Sequence, residues 1–262
     1  METERPAEKQ ALHYFILVFV PSIPFWLLGE GRLPLAVNLP ASALMFVCPF
    51  LAAGLLTWRE GGGPGLRRWL GKAAGGGKIR PASGLALILL VVPGVYTASY
   101  LLMRLAGVSL PAAEITPGLA ALNLALFFPA ALAEELGWMG YALEPLQQRR
   151  GVLRAGLILG IVWALWHLIP HRQQGFSAGW IAGQGLYAIL LRILIVWVYQ
   201  RSGRSVLGAA LMHTTDSLSW ALFPRHGSHY NPWLVSLVSA ALLAGLIVVG
   251  GRKGMRITTE DR

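Results

Sequence analysis

Residues 118–143 read GLAALNLALFFPAALAEELGWMGYAL. Formal charge enters this run only at Glu134 and Glu135, which are adjacent. About 20 largely apolar residues are enough to cross the hydrocarbon core of a bilayer. The run therefore predicts a spanning helix with an acid pair inside it. An ionisable group at that depth costs roughly 2.5–3.5 kcal/mol on insertion scales, so two in a row need a reason.

The rest of the 262-residue chain has the same character. Hydrophobic residues make up 55% and charged residues 13%, where soluble domains carry about 25% charged residues. Mean hydropathy is +0.56. These values exclude an ordinary soluble protein and a disordered one. Cys48 is the lone cysteine, so an internal disulfide and a CxxC site are both excluded. The net charge of +10 falls between apolar runs. That pattern points to membrane orientation rather than to nucleic acid.

Eight candidate spans emerge: 11–29, 37–57, 83–106, 118–143, 154–170, 180–199, 205–223 and 231–250. The predicted fold is all-α, a polytopic membrane helix bundle forming a single domain over 1–262. The first span lacks the cationic start and small-residue cleavage site of a signal peptide. Eight spans put both termini on one face. Seventeen Lys and Arg then share that face, four (Arg32, Arg104, Arg172, Arg225) lie on the other, and Arg192 sits within a span. The positive-inside tendency makes the rich face cytoplasmic, in a multi-pass cell-membrane protein. The Gly-rich basic stretch 59–80 reads as a flexible, lipid-attracted linker, with Leu66–Leu70 as an alternative short interfacial helix. The small-residue pairs Gly156/Gly160 and Gly179/Gly183 suit close helix approach.

The ionisable residues inside spans are few: Glu134, Glu135, His167, His213, Asp216 and Arg192. Measured from Arg149, Arg154 and Arg204, the residues Glu134, His167 and His213 lie roughly 22, 20 and 14 Å deep at about 1.5 Å per residue. Three helices can thus bring an acid and two imidazoles to one polar pocket. His213 and Ser217 share a helix face, as do Trp163 and His167. Glu134 and Glu135 point about 100° apart, so their roles should differ. The plain alternative for Glu134, Glu135 and His213 is interhelical hydrogen bonding, and for His167, near Pro170, a satisfied histidine close to the interface. For Asp216 the alternative includes shaping the pocket, and for Arg192 snorkelling to the surface. His171, His226 and His229 read as solvated loop residues. Trp26, Trp58, Trp180 and Trp233 read as an interfacial belt.

An acid and two imidazoles around water suit hydrolysis, with Glu as general base and His holding the water or an oxyanion. The same donors suit zinc, but HExxH is absent and a metal-free site is favoured.

The segments Glu134–Tyr141, Trp163–His167 and His213–Ser217 resemble, in order, the EExxxR, WxxxH and HxxxN motifs of the CPBP family. That family includes the type II CAAX prenyl endopeptidases and bacteriocin-processing or self-immunity proteins. The resemblance covers about 118–220. It implies a water-activating Glu134, a cooperating His167, an oxyanion-stabilising His213 and a supporting Glu135. It also implies a membrane-associated or lipid-linked peptide or protein as substrate, which in eukaryotic members is a prenylated CAAX tail. Two positions depart: Met139 replaces the Arg, and Ser217 replaces the Asn, with Asp216 just before it. Arg192, at the depth of His213, is the candidate cation for Glu135, and Ser217 is a candidate donor. The expected activity is a glutamate-dependent intramembrane endopeptidase cutting near the cytoplasmic face. The alternative is a non-catalytic immunity or scaffold protein, which the two departures favour. A small transporter is a third reading, but no inverted repeat accompanies it.

Overall fold

The computed structural model describes residues 7–29, 40–75, 79–80, 82–112, 116–225 and 227–250. These residues form α1 (Ala7–Leu27), a 3₁₀ turn (Ala41–Phe46), α2 (Val47–Gly71), α3 (Ala82–Leu105) and α4 (Pro117–Gly137). A π-helical turn (Trp138–Ala142) joins α4 to α5 (Leu143–Arg150). Then come α6 (Val152–Trp166), α7 (Leu168–Gln173), α8 (Ala178–Arg201), α9 (Val206–Ala221) and α10 (Pro232–Gly250). The all-α membrane bundle is what the hydropathy pattern dictates.

Among the described residues, six helical stretches are long and apolar enough to cross a membrane: Lys9–Leu27, Ala41–Gly71, Ala82–Leu105, Pro117–Arg150, Val152–Gln173 and Ala178–Arg201. The remaining two expected spans are shorter. At about 1.5 Å per residue, the 16 residues of α9 reach about 24 Å, less than a full hydrocarbon core of about 30 Å. The apolar part of α10 is Pro232–Val248.

Three site-bearing helices start at caps the sequence encodes. The Thr116, Ser177 and Ser205 side chains accept hydrogen bonds from the backbone N–H groups of Leu119, Trp180 and Gly208. Each thereby satisfies an N–H that the first helical turn leaves bare. Pro117 fits the first helical position of α4, where no N–H is needed.

The linker reading of 59–80 does not survive. Gly62 breaks α2 at φ 58°, a conformation glycine adopts freely. The chain then turns back as a second helical segment. Trp69 is buried, lies near Gly54, and donates its indole N–H to the Leu136 carbonyl at 3.0 Å. The aromatic anchor outweighs the glycines. Residues 76–78 of that stretch lie outside the described residues.

The fifth span is also not one helix. It breaks at His167, between α6 and α7. Pro170 has no N–H to return to the Trp166 carbonyl, so the ladder opens one turn before it.

α8 is the central post. Tyr187, Leu191, Arg192, Leu194 and Ile195 are all essentially inaccessible, and the helix packs on α6 and α10. Gly156 and Gly160 bring α6 against it. A Cβ on Gly160 would sit 2.8 Å from the Ile189 Cα. Of the second small pair, Gly183 packs under the Trp233 ring, while Gly179 has nothing within 4 Å. Gly160→Ala is therefore expected to push α6 off α8. The overpacking costs about 1–3 kcal/mol, against the ~1 kcal/mol alanine returns in helix propensity. Thermal unfolding in detergent should show a lowered midpoint for Gly160→Ala and none for Gly179→Ala.

Candidate active site

A cavity of about 420 Å³ lies among α4, α6, α7, α8 and α9, with Tyr96 of α3 and the 3₁₀ turn closing its sides. Glu134, His167, His213, Asp216 and Ser217 all line it. The convergence of an acid and two imidazoles on one space is thus present. Glu135 and Arg192 are absent from the lining and have no exposed surface.

Trp163 organises these groups. Its indole N–H donates to Glu134 Oε2 at 3.0 Å. Its ring lies 4.9 Å from the His167 ring and 5.3 Å from the His213 ring, both edge-on. The Arg192 guanidinium carbon sits 4.4 Å from the Trp163 ring centroid, a cation–π contact. One side chain therefore touches Glu134, His167, His213 and Arg192. The sequence reading singled out Trp163 only for its spacing from His167, four residues on. The four-residue spacing was the available sign.

The adjacent acids do diverge. Glu134 faces the cavity. Glu135 turns to the other side, where Arg192 Nη1 donates to both its oxygens at 2.7 Å. Arg192 does not snorkel; it is fully buried 57 residues from its partner. The cation that the motif would carry at Met139 comes from another helix. Met139 itself is buried in the π turn.

Both histidines donate from Nδ1 to a fixed acceptor. His167 Nδ1 lies 2.9 Å from the Trp163 carbonyl, which only accepts. Nδ1 must carry the proton, and Nε2 keeps its lone pair. His213 Nδ1 lies 2.9 Å from Glu135 Oε1, so it too donates from Nδ1 and leaves Nε2 for the cavity. Glu135 thus joins Arg192 to His213, an orienting shell behind the cavity wall.

Asp216 accepts from Tyr187 at 2.5 Å and from Tyr96 at 3.1 Å. It shapes the cavity wall by tying α9 to α3 and α8. Ser217 Oγ lies 3.5 Å from the His213 carbonyl of its own helix.

Two readings need correction. His171 is not a solvated loop residue. It lines the cavity on α7, stacks on His167 at 5.8 Å, and its Nδ1 is buried without a hydrogen-bond partner. Trp180 lines the cavity too, stacked on Phe176 at 3.7 Å. His171 follows His167 by four residues, a spacing that could have revealed it. His229 is partly buried, and His226 lies outside the described residues.

The cavity also lies toward an unexpected end. Its lining includes Leu44 of the 3₁₀ turn, Phe176 between α7 and α8, Trp180 near the start of α8 and Trp220 near the end of α9, all away in the chain's up-and-down course from 58–75, 150–152 and 201–206. A cut beside the basic segments does not fit that placement. The depths of 22 and 20 Å already pass the middle of a core of about 30 Å.

Among the described residues, no three His, Cys, Asp or Glu side chains are grouped to hold a metal ion.

Residues 116–219 match the family model for type II CAAX prenyl endopeptidase Rce1-like proteins. This part of the chain is similar to that family, in line with the motif resemblance to the CPBP proteins. It includes all three motifs and every cavity-lining acid and imidazole named above. A curated relative is CAAX prenyl protease 2 of Methanococcus maripaludis, 29% identical over 151 residues. That alignment covers 53% of this chain and 56% of the relative, so the chain spans little more than half the length of the protein it matches.

Proposed function

We propose that this protein is an intramembrane endopeptidase, one membrane-embedded domain that hydrolyses a peptide bond in a membrane-associated or lipid-linked polypeptide. The observation that carries the reading is that Glu134, His167 and His213 line one cavity around Trp163.

Glu134 takes a proton from a water molecule whose oxygen attacks the scissile carbonyl carbon. His167 accepts a hydrogen bond from that water through its bare Nε2. The carbonyl electrons move onto oxygen, and His213, as an imidazolium with Nδ1–H on Glu135, donates its cavity-facing Nε2–H to that charge. The carbon–nitrogen bond then breaks, and the proton held by Glu134 passes to the leaving amine. No step runs through a metal ion or cofactor, and nucleic acid has no part in it.

The test uses purified protein in detergent with a fluorogenic membrane peptide. Wild type is expected to cleave it with chelator present. His167→Ala should lose activity while its thermal midpoint stays near wild type. Chelator-sensitive cleavage, restored by zinc, would overturn the metal-free mechanism. The Ser217 hydroxyl turned toward its own helix favours a second reading, an immunity or scaffold protein without catalysis. A cellular phenotype that survives His167→Ala would select that reading.

A further inference from the structure

Two acids line the cavity, Glu134 and Asp216. The proposed hydrolysis uses the first and gives the second no task. An acid at membrane depth is costly and marks function by default. Tying helices together needs no formal charge, because a neutral polar side chain accepts from a tyrosine equally well.

The hydrogen bonds around Asp216 are one-sided. Oδ1 accepts from both Tyr187 and Tyr96. Oδ2 takes no hydrogen bond within the described residues, and Asp216 is only half-buried at the cavity wall. The two phenols thus hold the carboxylate in place and leave one oxygen for a ligand. Among the described residues, no Lys or Arg lines the cavity to pair with it.

The neighbouring helix adds a donor. Tyr230 donates to Gln184 Oε1 at 2.6 Å, which leaves the Gln184 amide N–H groups unused. Tyr96 stacks on Tyr230 at 5.7 Å and meets Tyr187 edge-on at 6.1 Å. One tyrosine cluster therefore supports both the acid and the amide. Trp180 precedes Gln184 by four residues on α8, and Trp220 follows Asp216 by four on α9, so each polar group shares a helix face with a tryptophan. All four residues line the cavity. An acceptor of full charge, an amide donor and two indole surfaces suit a long basic side chain. Its charged head meets the carboxylate, and its apolar stem runs along the rings.

Asp216 lies three residues beyond His213, about 4.5 Å along the axis of α9. An extended peptide advances about 3.3–3.6 Å per residue. A side chain read at Asp216 therefore belongs within two residues of the bond held at His213.

We infer that Asp216, with Gln184 in the same cavity, is a specificity-determining site that selects a Lys or Arg side chain next to the scissile bond of the substrate. The inference rests on the peptidase reading of this cavity.

The experiment scans a single Lys, Met or Glu along the fluorogenic membrane peptide, with the purified full chain in detergent. Cleavage is followed by fluorescence and equilibrium binding by anisotropy. Wild type is expected to favour Lys over Met at one position within two residues of the cut, by about 10- to 100-fold in kcat/KM, the worth of one charged hydrogen bond. Glu at that position should be the poorest. Asp216→Asn keeps an oxygen for the two tyrosines and removes the charge, so it should level Lys with Met. A purely structural role would lower all peptides alike and leave their ratio as in wild type. That result, or a wild type indifferent to Lys at every position, overturns the inference. The wild-type scan decides the matter even where Asp216→Asn fails to fold. Preferential binding of a Lys peptide, lost in Asp216→Asn, without cleavage of any peptide would overturn the peptidase reading and leave the basic-residue site standing.

Discussion

Arg192→Ala is expected to be the most destabilising substitution at the centre. The guanidinium has no exposed surface and donates to both oxygens of Glu135, which is itself fully buried. Removing it strands a carboxylate in a medium that cannot solvate it. Losing one partner of a buried ion pair costs about 3–5 kcal/mol. The loss extends to His213, whose Nδ1–H leans on the same carboxylate, and to the Trp163 ring beneath the guanidinium. Thermal unfolding and size-exclusion elution in detergent should both show the defect. Glu135→Gln combined with Arg192→Met should cost less than the two single changes summed, because no charge is then left unpaired. Wild-type stability for Arg192→Ala would mean that Glu135 draws its support from elsewhere.

The second large effect is on rate rather than stability. Glu134→Gln keeps the shape of the side chain and an oxygen to accept the Trp163 N–H. It cannot take a proton from water. General-base catalysis is worth about 10²–10⁴ in rate, or roughly 3–5 kcal/mol at 1.36 kcal/mol per decade. Single-turnover cleavage should fall by that factor while the unfolding midpoint holds within the range of neutral substitutions. A variant that cleaves at the wild-type rate would remove Glu134 from the base role. Glu135→Gln should behave differently, with folding and rate falling together, because Glu135 serves as a support for Arg192 and His213.

The sequence carried much of the centre. The scarcity of charge inside spans picked out Glu134, Glu135, His167, Arg192, His213 and Asp216, and all six occupy or border the cavity region. The shared depth of Arg192 and His213 was enough to suggest a partner for Glu135. Three features escaped. His171 was misplaced because a hydropathy window ends the fifth span at Pro170, yet the chain makes one more helical turn beyond the break. The hairpin through Trp69 was missed because glycine and basic residues suggested a loop. The tryptophan's destination on α4 is a contact 67 residues away. Trp163 was seen as a neighbour of His167 rather than as the hub that joins four groups.

By itself, the sequence settled the membrane-spanning helical character and the short roll of polar residues within the spans. Those follow from local composition, because each helix satisfies its own backbone in lipid and needs no partner to be recognised. The tertiary structure decided which of two adjacent acids meets the cavity, which helix supplies the compensating cation, and toward which end the cavity lies. Those depend on how the helices rotate and lean against one another. Close approaches such as Gly160 on Ile189 and long-range pairs such as Glu135 with Arg192 set that packing, and neither is visible in any one segment.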